Sequence, residues 1–229
     1  MGNTSLSPLT KQEFTGTGLS FRKEATRKLI HVTGLALPLI YFYTPRPIAL
    51  EILIAITATG LVLDFARHRH SQIGEVFNKL FILILRRHEF DADGKHLNAV
   101  TWFFIAATVS VAVFPKYITI ASITVALLGD AAAALIGRHF GRPRFHGKSL
   151  AGSCAFFFVA STAMLLLPKI HYNRGEYLIA VVVALVGTLA ELTPVNVIDD
   201  NFVVPLSVAG SMWLLYTFVF PEMNLHFGV

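Results

Sequence analysis

An all-α, polytopic transmembrane helix bundle is the architecture this sequence predicts, and three observations carry the prediction. Hydrophobic residues make up 54% of the 229-residue chain and charged residues only 14%, against about 25% charged in an ordinary soluble domain. Mean hydropathy is +0.61. The apolar residues come in blocks of about 15 to 20, the length at which a helix crosses a bilayer. Finally, the lysines and arginines sort between alternate connections. A soluble helical protein with buried helices fails on surface area, because too little polar surface remains to cover such a core.

In chain order the apolar blocks are Leu29–Tyr43, Ile48–Phe65, Ala99–Phe114, Ile118–Gly137, Leu150–Leu167, Tyr177–Leu192 and Val203–Phe220. They predict about seven spans in one membrane domain over 22–229, behind a Ser-, Thr- and Gly-rich flexible cytoplasmic tail over 1–21. The first block is interrupted by Gly34 and Pro38. It reads as a mature helix and not a signal peptide, because it starts far from the N-terminus and lacks a small-residue cleavage site. Phe77–Leu85 is apolar but too short to span and is flanked by Lys79, Arg86 and Arg87. It reads as an amphipathic helix lying in the interface. No internal repeat is evident.

With that segment in the interface, the positive charges separate by side. Five of the 19 lysines and arginines fall ahead of the first apolar block, six in Arg67–Lys95 and four in Arg138–Lys148. The other side keeps Arg46, Lys116, Lys169 and Arg174. Basic connections stay in the cytoplasm, which predicts a cytoplasmic N-terminus and a C-terminus outside. The pI of about 9.5 follows from this bias and suits anionic head groups or an anionic substrate. Nucleic acid is not the expected partner: the cations hug span ends and lack aromatic interleaving.

The same topology gathers the unusual polar residues on the cytoplasmic side. Arg27, Lys28 and His31 open the first span, Asp64 closes the second, Glu191 ends the sixth, and Asp199, Asp200 and Asn201 open the seventh. Asp130 lies two turns inside the fourth, roughly 12 Å from its cytoplasmic end. A charge within a span costs at least about 2.5–3.5 kcal/mol, so Asp130 must face the interior, a wet cavity or a counter-ion. Four alanines follow it, and small residues let helices approach closely. Dull duties are also legible: one of Asp199, Asp200 and Asn201 as a helix cap, Asp64 as a surface partner of Arg67, and "RHRH" (Arg67–His70) as a solvated face.

The loop beyond Asp130 has the makings of a phosphate site. Gly141, Gly147 and Gly152 permit tight turns and close backbone approach. Arg138, Arg142, Arg144 and Lys148 supply donors for phosphate oxygens. Ser149 is placed to cap a helix starting at Leu150, whose N-terminus is itself an anion site. "GRPRFHGKS" is not a P-loop, because one residue too many separates Gly141 from Gly147 and a membrane helix precedes it in place of a strand. "DADG" (Asp91–Gly94) is too short for a calcium loop, and the lone Cys154 supports neither a disulfide nor a cysteine metal site.

Taken in order, "RKLIHVTG" (Arg27–Gly34), "GDAAAALIGRHFG" (Gly129–Gly141), "GKSLAGS" (Gly147–Ser153) and "ELTP…IDDNFVVPL" (Glu191–Leu206) resemble the polyprenol kinase family. That family holds dolichol, phytol and farnesol kinases and a CTP-dependent diacylglycerol kinase. The resemblance implies an integral membrane kinase that moves the γ-phosphate of CTP, or ATP, to a lipid alcohol with the help of Mg2+. A more distant likeness is to phosphatidate cytidylyltransferases. A transporter is disfavoured by the lack of paired half-helices or an inverted repeat. Phosphoryl transfer needs positioning and charge neutralisation. Catalytic duties therefore fall on Asp130, Lys148, Asp199, Asp200 and His31, with the base left open between a carboxylate and His31. Metal ligation falls on Asp130, Asp199, Asp200 and Glu191. Nucleotide binding falls on Gly137, Arg138, Gly141, Arg142, Gly147, Lys148, Ser149 and Gly152. The implied setting is the cell membrane or one of endoplasmic-reticulum type, with the active site cytoplasmic.

Overall fold

The computed structural model describes residues 28–29, 31–69, 97–140, 144–145, 148–193, 198–222 and 225. The expected interfacial helix at Phe77–Leu85, the tail over 1–21, and Gly141, Arg142 and Gly147 lie outside the described residues. Seven helices are described: α1 (Ala36–Tyr43), α2 (Arg46–Arg69), α3 (Ala99–Val113), α4 (Lys116–Phe140), α5 (Leu150–Leu166), α6 (Arg174–Leu192) and α7 (Asp200–Val219). Lys28, Leu29 and His31–Thr33 continue the helical backbone ahead of α1. A two-stranded antiparallel ribbon, β1 (Arg144–Phe145) with β2 (Lys148–Ser149), joins α4 to α5.

The helices coincide with the seven apolar blocks, but only four are long and apolar enough to cross a membrane: α2, α4, α6 and α7. The apolar helices at His31–Tyr43, Ala99–Val113 and Leu150–Leu166 are shorter. Their ends are cut by caps and prolines. Asn98 accepts from the backbone N–H groups of Val100 and Thr101 and fixes the start of α3. Pro115 follows its C-cap, and Pro168 follows that of α5, which a helix cannot easily run through. Among the described residues the chain is helical, with four candidate membrane spans by length and composition.

α4 is the central element. One apolar cluster joins it to α5, α6 and α7 through Ile118, Val125, Phe156, Ala160, Val183, Val208 and Met212. A second joins it to α1, α2 and α3 through Tyr41, Leu53, Ala107, Val111, Ile123 and Leu127. The α4–α5 contact is the most extensive in the bundle, and small residues are the reason. A Cβ on Gly129 would lie 2.6 Å from the Phe156 ring, and one on Gly137 would lie 3.2 Å from the Gly152 Cα. The alanine run after Asp130 thus belongs to packed protein, with Ala131 and Ala133 buried. By contrast α2 leaves Ile48, Ile52, Val62 and Phe65 exposed, the surface expected of a helix facing lipid.

Candidate active site

Five elements bring polar side chains to one end of the bundle. α4 carries Asp130, and because the helix runs on to Phe140, Asp130 stands about 15 Å from its end, about 3 Å deeper than the sequence alone indicates. The helical turn ahead of α1 brings Lys28 and His31 onto it. Lys28 is 2% exposed and forms an ion pair with Asp130 Oδ2, while His31 Nε2 lies 3.2 Å from the same oxygen. Lys28 and His31 are three residues apart and so share a helical face. That spacing was readable in "RKLIH"; what the sequence could not show was which acid the pair faces.

β2 supplies Lys148. Its ammonium donates to Glu191 Oε1 at 2.7 Å and to Asp200 Oδ2 at 2.6 Å, tying the last turn of α6 to the first turn of α7. Burial alone would lower the Lys148 pKa, but the charges of Asp200 and then Glu191 outweigh it and hold the ammonium above the ordinary 10.5. Lys148 is therefore charged throughout the neutral range. Glu191 is the most enclosed acid here, 6% exposed, and its Oε2 is buried with no hydrogen-bond partner among the described residues. An ionised oxygen left so costs several kcal/mol on the order of a lost charged hydrogen bond, unless a cation meets it.

The acids and His31 border one small, partly open cleft. His31, Asp130, Glu191, Asp200 and Asn201 line its polar part, and Phe103, Leu127, Val204 and Pro205 its apolar part. The cleft thus sets an acidic end against an apolar wall. Pro205 also removes one N–H from the helix ladder of α7.

Several expected site residues have other duties. Asp199 is the N-cap of α7, accepting from the Asn201 N–H at 2.9 Å. It does not line the cleft, because the residue just outside a helix turns its carboxylate back on the first free N–H groups. Ser149 caps α5 as expected, accepting from the Gly152 N–H at 3.0 Å, and is buried. Gly137 and Gly152 face each other across the α4–α5 contact, a packing duty. Arg138 sits exposed in the last turn of α4. Of the residues assigned to magnesium, Asp130, Asp200 and Glu191 converge and Asp199 does not. Among the described residues no group of three or more acidic, histidine or cysteine side chains has ready-made metal-site geometry.

Asp64 is not a surface residue. It is fully buried, accepts from the Asn98 N–H at 3.0 Å and from Asn98 Nδ2 at 3.1 Å, and meets Arg67 Nε at 2.9 Å in ion-pair and not hydrogen-bond geometry. Arg67 is buried too, so "RHRH" is not simply a solvated face. This clasp fastens the end of α2 to the start of α3.

No family model matches the chain, and no solved structure matches it. It is 28% identical over 203 residues to an uncharacterized protein of Rickettsia prowazekii, covering 88% of this chain and 96% of that one. It is 34% identical over 134 residues to a probable chloroplastic phytol kinase of Triticum aestivum, covering 52% of this chain and 45% of the wheat protein. It is 24% identical over 165 residues to CTP-dependent diacylglycerol kinase 1 of Schizosaccharomyces pombe, covering 66% and 74%. The chain spans less than half the length of the wheat kinase. Its homology to phytol kinases and to a CTP-dependent diacylglycerol kinase is thus distant and partial, and points to a polyprenol or lipid kinase-like family.

Proposed function

We propose that this protein is an integral membrane kinase that transfers the γ-phosphate of a nucleotide triphosphate, CTP, to a lipid alcohol of the polyprenol, dolichol, phytol or diacylglycerol class. One observation carries the reading. Glu191, with an unpartnered buried oxygen, shares a cleft with Asp130 and Asp200, and a lysine on a basic loop closes on two of these acids. The distant likeness to lipid kinases supplies the reaction class.

The residues fit magnesium, because hard cations take carboxylate oxygens and Glu191 Oε2 is an acid oxygen without a partner. Glu191 and Asp200 would hold it, with Asp130 beside them, and when bound it neutralises charge on the transferring phosphoryl group. Lys148 holds the nucleotide phosphates, with Arg138 at the rim and the N-terminus of α5 behind. The proton of the alcohol goes to a carboxylate of the cleft or to His31, whose Nε2 lies 3.2 Å from Asp130 Oδ2. The apolar wall of Phe103, Leu127 and Val204 receives the first carbons of the lipid, which enters sideways from the bilayer. All seven apolar helices cross or enter the membrane in this reading, the N-terminus and cleft lie on the cytoplasmic side of a cell or endoplasmic-reticulum-type membrane, and the C-terminus lies outside.

The test is a product assay on purified protein with a panel of lipid alcohols and labelled CTP or ATP. A kinase yields a lipid monophosphate and CDP. A CDP-lipid with pyrophosphate would show a cytidylyltransferase instead, and neither product from any alcohol would overturn the reading.

A further inference from the structure

Lys148 makes contacts that compete with the role just given to it. Its ammonium is placed on Asp200 Oδ2 and Glu191 Oε1 at 2.6 and 2.7 Å, on the same two carboxylates that would hold a divalent cation. Two of its three N–H donors are spent on these acids, which leaves one for a phosphate oxygen, and a dication cannot approach both acids past a lysine ammonium. The second, independent observation is the far oxygen of Glu191. The side chain is 6% exposed and Oε2 has no partner among the described residues, so one lysine leaves this acid site short of positive charge.

We propose that Lys148 is an internal stand-in for the divalent cation and that the two exchange places. The nucleotide triphosphate draws the Lys148 ammonium off Glu191 and Asp200 onto its phosphates, and the cation then takes the two vacated carboxylates. Metal and nucleotide therefore bind as a coupled pair, because each binds well only after the other has settled the lysine. No bond is made or broken in the exchange; two salt contacts are replaced by others. The device rests on the proposed kinase site.

The measurement is Mn2+ binding, read by electron paramagnetic resonance on full-length protein in lipid nanodiscs, with no nucleotide present. Lys148→Met should bind Mn2+ at least about tenfold more tightly than wild type, since a like charge within contact distance of a cation site is worth more than that factor. The gain should vanish in Lys148→Met/Glu191→Gln. Lys148→Arg, which keeps the charge, should bind Mn2+ as weakly as wild type. A second arm needs no change at Lys148. Glu191→Gln should raise the affinity for metal-free CTP by at least about threefold, because one competitor for the lysine is gone, and Asp130→Asn should raise it less.

Equal Mn2+ affinity in wild type and Lys148→Met would overturn the exchange. So would an unchanged or weaker affinity of Glu191→Gln for metal-free CTP, which covers the case in which Lys148→Met does not fold. If Mn2+ with CTP still binds wild type and weakens in Glu191→Gln, the kinase site survives that failure. If neither Glu191→Gln nor Asp200→Asn weakens binding of Mn2+ with CTP, the site itself is misplaced and the exchange falls with it.

Discussion

Replacing Asp130 by asparagine separates structure from chemistry at the centre of the bundle. The exchange keeps size and one acceptor oxygen but strands the Lys28 ammonium, which is 2% exposed while Asp130 is 20% exposed. Removing one partner of a buried ion pair costs about 3–5 kcal/mol. The amide oxygen still accepts from Lys28, and Asp130 borders the cleft, so a loss of about 2 kcal/mol is the expectation. For a chain of this size that is a fall in melting midpoint of about 4–8 °C, measured by differential scanning fluorimetry in detergent. Adding Lys28→Met removes the stranded charge and should recover most of the loss. Phosphoryl transfer should be absent from Asp130→Asn and should stay absent in Lys28→Met/Asp130→Asn, because stability returns and the carboxylate does not. An Asp130→Asn variant that melts with wild type would refute the buried pair. A double variant that regains activity would show that Asp130 serves the fold alone.

Gly129→Ala places a Cβ 2.6 Å from the Phe156 ring and should cost about 1–3 kcal/mol of stability, with Phe156→Leu restoring the midpoint; no loss would mean that α4 and α5 are further apart. Glu176, fully buried at the other end of the bundle, accepts from the Ile170 N–H at 2.6 Å and the His171 N–H at 2.9 Å. Glu176→Ala should lose roughly 3 kcal/mol by leaving those donors unpaired while activity per folded molecule holds. In a variant with the exposed Cys154 replaced, single cysteines at His171 and Arg138 should be labelled from opposite sides of the membrane, and labelling from the same side would overturn the charge-derived topology.

Helix positions were legible because bilayer length and apolar composition act on every residue of a block. Helix ends were less so. The block ending at Gly137 continues helically to Phe140, because His139 and Phe140 carry no signal that breaks a helix and Gly137 is tolerated where α5 packs. The gathering of Asp130, Asp200, Glu191 and His31 followed from topology alone, since alternating helices deliver their ends to the same side. The pairing within that gathering did not. Nothing in the order of residues says that Lys148 prefers Glu191 and Asp200 to a loop position, or that Asp199 turns back to cap its own helix while its neighbour faces the cleft. Those outcomes depend on angles of approach between helices distant in sequence.

The two ends of the bundle handle charge differently, and the contrast bears on where chemistry belongs. At the end away from the cleft, cations serve backbone. Arg46 donates to the carbonyls of Val111 and Ala112 at 2.8 and 2.6 Å, Lys116 to that of Thr44 at 3.0 Å, and Lys169 to that of Met164 at 2.7 Å. Each satisfies carbonyls left open at a helix terminus. Glu176 in the same region takes up N–H groups in the matching way. Burial still depresses the Lys169 pKa against the pull of Glu176, as expected for a cation held mainly by neutral carbonyls. At the cleft end Asp199 and Asp64 also meet backbone N–H groups, but the charges bordering the cleft lean on each other: Lys28 on Asp130, and Lys148 on Glu191 and Asp200. Lys148 holds two acids at once, and Glu191 still has one oxygen with no partner. A terminus closed by its own backbone gains nothing from a ligand, whereas paired side chains can exchange partners without unwinding a helix. The end built from exchangeable ion pairs is the one at which a phosphate and a cation can enter.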